Sequence, residues 1–69
     1  MNAISQRAAT ALDHLAAGVP KKQVADYMNI NSRTLVYALA QARLDANCKT
    51  TYELLAEYSK GQINVKESK

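Results

Sequence analysis

The chain has 69 residues, one cysteine, one histidine and a formal net charge of +3 at pH 7. That length makes a single domain with no room for a large pocket, and Cys48 and His14 are too few for an internal disulfide or a four-ligand zinc site. No stretch approaches the ~20 apolar residues of a membrane span and no export signal opens the chain, which with a free thiol predicts a cytoplasmic protein.

Alanine dominates the apolar residues, Trp and Phe are absent, and there are only two Gly and one Pro. This composition favours closely packed helices. Residues 5–17 read as the first. Ala8, Ala11, Leu12, Leu15 and Ala16 form one stripe at helical period, Ser5 is an N-cap, and Gly18 suits a left-handed stop. Pro20 opens a second helix to about Met28, with Val24, Ala25 and Met28 inward. Asn29-Ile30-Asn31 breaks it: Asn29 tolerates left-handed geometry, Ile30 can plug the core, and Asn31 caps the next helix.

The third helix runs from about Ser32 to Ala46 with Leu35, Leu39, Ala42 and Ala46 buried, and Asn47 stops it. Thr50 and Glu53 form a capping box for a fourth helix, from Thr51 to about Lys60, with Leu54, Leu55 and Tyr58 inward. Tyr27 and Tyr58 are expected at the edge of the core. Gly61 ends the fourth helix. The expected fold is all-α: a four-helix (tetrahelical) helix-turn-helix bundle over residues 1–61. Residues 62–69 read as a flexible, charged C-terminal tail.

Charge is unevenly placed. From Ile4 to Tyr58 six basic residues face five acidic ones, whereas Lys60, Lys66 and Lys69 face only Glu67. The folded part is therefore near neutral, and global charge says little about partners. No Ser/His/Asp set, glycine-rich loop or carboxylate pair marks a catalytic centre, so the chain reads as a non-enzyme that needs neither metal nor other cofactor. Cys48 reads as a small buried hydrophobe and His14 as a partly buried surface residue.

Residues Ile4 to Leu55 resemble, without a gap, the LuxR-type (GerE-type) helix-turn-helix DNA-binding domain of bacterial transcription regulators. Ile4-Ser5 stands for the family's Leu-Thr, and Arg7 for its arginine. Leu12, Leu15-Ala16 and Gly18 match the end of its first helix. Lys22-Gln23-Val24-Ala25 stands for Lys-Glu-Ile-Ala, Met28-x-Ile30-Asn31 for Leu-x-Ile-Ser, and Thr34-Leu35 for Thr-Val; Leu39 matches. Ala46-Asn47-Cys48 stands for Leu-Gly-Val, and Thr50-Thr51-Tyr52-Glu53 for Asn-Arg-Thr-Glu. The chain departs from the family on the third helix. The groove-facing positions, usually polar or basic there, are Val36, Tyr37 and Ala40, and the usual histidine is Ala38.

The resemblance implies a stand-alone transcription regulator that binds duplex DNA as a homodimer, with the third helix in the major groove and the fourth at the dimer interface. Groove candidates are Thr34, Val36, Tyr37 and Ala40. Backbone candidates are Lys21, Lys22, Arg33, Gln41, Arg43 and Lys49. Tyr52, Leu55, Ala56 and Ser59 form a mixed face of small and apolar residues suited to the dimer axis. The alternative is a protein-binding antagonist or co-regulator on the same fold. It would hold another transcription regulator through Val36, Tyr37 and Ala40 or through the fourth helix.

Overall fold

The computed structural model describes residues 3–66, folded as four helices: α1 (Gln6–Ala16), α2 (Lys21–Tyr27), α3 (Ser32–Asp45) and α4 (Thr51–Ser59). The all-α four-helix expectation holds. Local chemistry sets the boundaries. The side chains of Ser5, Asn31 and Thr50 accept from the backbone N–H groups of Ala8, Thr34 and Glu53 at 3.1, 2.7 and 3.0 Å, each satisfying a donor the first helical turn leaves unpaired. Glu53 completes its half of the cap one residue earlier than expected, accepting from the N–H of Lys49 at 2.7 Å. Pro20 stands outside α2 with an extended ψ of 144°. It serves the helix through its carbonyl, which accepts from Gln23 and Val24 at 2.9 and 3.0 Å.

All four helices end alike. Gly18, Asn29, Asn47 and Gly61 take positive φ values of 91, 58, 58 and 78°. In each case the next residue donates back into the last turn: Val19 to His14, Ile30 to Ala25, Cys48 to Arg43 and Gln62 to Glu57. This is the Schellman closure, in which the residue after the left-handed position packs against the helix it has just left. Val19, Ile30 and Cys48 do so, lying half-buried against the core.

α1 packs against each of the other three helices, and α3 against α2 and α4. The fully buried side chains are Ile4, Leu12, Val24, Leu35, Leu39 and Leu54, with Ala8, Ala11 and Ala42 sealed between helices. The buried arc of α1 is shifted from the expected stripe: Ala9 is inside and Ala16, in the last turn, is exposed. A helix with neighbours on three sides buries a wider arc than a one-sided stripe.

Two expectations are corrected. Tyr27 is exposed rather than at the core edge, its ring lying 5.7 Å from that of His14. Tyr58 is half-buried and donates to Asp13 Oδ1 at 2.6 Å, tying α4 to α1. The second correction concerns the tail, which does not fray from Gln62. Ile63 is only 8% exposed and joins the core, and Ile4 and Val65 form an isolated parallel bridge. Ile4 donates to the Asn64 carbonyl at 2.9 Å and accepts from Lys66 at 2.8 Å, while Gln6 Nε2 holds the Lys66 carbonyl at 3.0 Å. The alternation Ile63-x-Val65 puts two apolar side chains on one side of an extended segment, and burying them drives the docking. Glu67, Ser68 and Lys69, the rest of the expected tail, lie outside the described residues.

Ile63→Ala is therefore expected to lower stability by about 2–4 kcal/mol in urea denaturation, as a core truncation does; a loose tail would leave the midpoint unmoved. Tyr58 gives a pH signature. Its hydrogen bond to Asp13, burial and the Asp13 charge push the phenol from its ordinary 10.0 up to about 12. The folded state thus favours the protonated phenol, so this contribution is whole below pH 10 and is lost as pH rises towards about 12. Tyr58→Phe should cost about 1 kcal/mol at neutral pH, and the wild-type–variant difference should shrink over that alkaline window.

Candidate nucleic-acid interface

The turn between α2 and α3 decides which face of α3 is left outside. Asn29 turns the chain at φ 58°, Ile30 drops into the core, and Asn31 caps α3. With the start of α3 fixed, Leu35, Ala38, Leu39 and Ala42 point inward. The outer face carries Arg33, Val36, Tyr37, Gln41 and Leu44, all exposed, with Thr34 and Ala40 half-buried at its margins. Tyr37 is 71% exposed. Ala38, where the resemblance leads one to expect histidine, is on the inward side of α3.

Lys21 and Lys22 are exposed in the first turn of α2, and α2 lacks both an acidic residue in that turn and a side-chain cap. Two cations there face the positive end of the helix dipole, a small unfavourable term for a free surface. Among the described residues the sole ion pair is Lys60–Glu57 at 3.5 Å, so Lys21, Lys22 and Arg33 carry uncompensated charge. Gln41 reaches Asp45 at 3.4 Å along the helix.

Arg43 has a different place from the one expected. It is half-buried, its Nη1 donates to the Lys49 carbonyl at 3.0 Å, and its Nε is enclosed without a partner among the described residues. Its guanidinium is committed to holding the α3–α4 loop. Lys49 is exposed, but its backbone N–H is held by Glu53, which puts a carboxylate beside it. The structure thus leaves Lys21, Lys22, Arg33, Val36, Tyr37, Gln41 and Lys49 exposed and sets Arg43 apart; Lys21 lies on the groove beside Thr51 and Tyr52 rather than on the α3 face.

The expected dimer residues fall on one side of α4. Tyr52 is 88% exposed, Ala56 and Ser59 are exposed, and Leu55 is half-buried. Tyr52 and Leu55 line a shallow, mostly apolar groove of about 350 Å³ with Leu15, Lys21 and Thr51. The sequence reading did not assign Leu15 to this surface. It also missed Leu44, which is 75% exposed. Leu44 lies four residues after Ala40 and seven after Tyr37, the spacing that continues their face.

Compared with known protein families, characterised proteins and solved structures, the chain shows no match.

Proposed function

We propose that this chain is a DNA-binding transcription regulator with a LuxR-like helix-turn-helix, acting as a homodimer with α3 in the major groove and α4 at the dimer axis. The observation that carries the reading is the outer face of α3. It belongs to the longest helix, 14 residues or about 21 Å, and is presented by a rigid, capped corner. Arg33 lies at its start, and Lys21 and Lys22 stand uncompensated on the helix before it. Cations there position phosphates, while Tyr37, Val36 and Gln41 reach base edges or thymine methyl groups. On α4, Tyr52 and the groove beside Leu55 supply the apolar surface for a two-fold contact.

Fluorescence anisotropy with duplex DNA across a salt series tests this. With Lys21, Lys22, Arg33 and Lys49 in reach on each protomer, the slope of log K against log salt is expected at about −4 to −7 for a dimer. Lys22→Ala and Arg33→Ala should each make the slope shallower by roughly 2 and weaken binding to every sequence alike. Absence of any salt-dependent binding would refute the reading.

A second reading rests on a specific observation: three large apolar or aromatic side chains of α3, Val36, Tyr37 and Leu44, are left exposed. Such a face also suits an antagonist that occupies another regulator. Ala40→Lys separates the two. It adds a phosphate contact and should tighten DNA binding several-fold. In an apolar protein interface it would bury an unpaired charge and abolish binding. If Ala40→Lys gains no affinity for any duplex, the antagonist reading stands.

A further inference from the structure

Where the end of α3 meets α4, the surface opens into a cleft of about 620 Å³. Ala46 and Cys48 form its floor, Leu44 its apolar wall, and Asp45, Glu53 and Glu57 its rim. No cationic residue lines it, and none of the candidate groove residues, nor Lys21, Lys22 or Arg33, borders it. The carboxylate field reaches the floor: burial, then Glu53, then Glu57 push the Cys48 thiol above its ordinary value.

We propose that this cleft is a docking site for a basic segment of a partner protein, one that carries an apolar side chain among lysines or arginines. The charge selects the partner's sign, and duplex DNA is repelled. Among the described residues no three of His, Cys, Asp and Glu converge as a metal site requires, so an extended occupant fits better than an ion. Leu44 supplies the second half of the recognition, since a side chain 75% exposed beside an apolar floor gains by being covered. The carboxylates remain available. Glu57 is engaged only by the exposed Lys60, a surface pair that an incoming cation displaces at little cost. One oxygen of Glu53 holds the Lys49 N–H, and the other is open.

The test is an NMR titration of the full chain with a short synthetic peptide alternating lysine and leucine. Saturable shifts are expected at Leu44, Cys48 and Glu53. The doubly substituted Asp45→Asn, Glu57→Gln chain should bind roughly tenfold more weakly, as loss of two close opposite charges implies. Leu44→Ser should lose several-fold, and a lysine–serine peptide should bind the native chain correspondingly less well. All three positions lie outside the core, and amide dispersion reports whether each variant folds. Unsaturable shifts spread over the surface, or equal binding by the doubly substituted chain, would overturn the proposal. So would the same resonances moving with protein concentration alone, which would make the occupant a second copy. No DNA enters the measurement, so its outcome stands apart from that of the DNA-binding reading.

Discussion

The outer surface of α3 depends on one backbone constraint: Asn29 held in the left-handed region at φ 58°. A non-glycine residue there costs on the order of 1 kcal/mol. Asparagine tolerates it best, and three local gains offset it. The Asn29 and Ile30 N–H groups return to the carbonyls of Asp26 and Ala25, Ile30 packs on the core, and Asn31 caps α3. Together they set which side of α3 faces inward. A slip of one residue would carry each side chain about 100° around the helix, turning Leu35 and Leu39 out of the core.

Charge is grouped locally. Arg33 lies just past the α2–α3 turn, Lys21 and Lys22 open α2, and Lys21 borders the groove beside Thr51 and Tyr52, while Asp45, Glu53 and Glu57 gather where α3 meets α4, with Lys49 and Lys60 beside them. A chain whose helical part is close to neutral therefore presents local patches that its net charge does not report. Summed charge misses this, because at physiological salt the Debye length is about 8 Å and each patch acts on its own surroundings.

The elements were legible in the sequence because their boundaries are local chemistry. Ser5, Asn31 and Thr50 cap, and Gly18, Asn29, Asn47 and Gly61 stop, through contacts no more than a turn away. The departures share the opposite cause. Ile63 and Val65 are meaningful only beside Ile4, some sixty residues earlier, and a two-residue alternation in a polar context gives little signal. Tyr27 goes outward because Val24 and Ala25 already fill the inner side of a seven-residue helix. Arg43 reads as a surface cation until the loop folds back to place the Lys49 carbonyl beside it. On the candidate interface, exposure followed from helical period once the inner face of α3 was identified, and Leu44 was recoverable by the same rule. The cleft was not, since it needs the α3–α4 angle to bring Asp45 near Glu53 and Glu57.

Docking of the C-terminal segment changes the basis for the proposed dimer. A domain this small, with alanine at many of its helix contacts, buries little apolar area per residue. On sequence alone, a second subunit is the obvious remedy. Ile63 and Val65 provide part of that remedy within the chain, and their pairing with Ile4 brings both ends of the folded unit together. Leu54 is fully buried by intramolecular contacts alone, so the core does not need a partner to be closed. The case for a dimer moves from need to fit. It rests on Tyr52, which none of the described elements covers, and on the groove beside it, lined by Leu15 and Leu55. An interface of that kind suits reversible association; under the proposed function, folded monomers would exchange and a duplex presenting two half-sites would supply part of the pairing free energy.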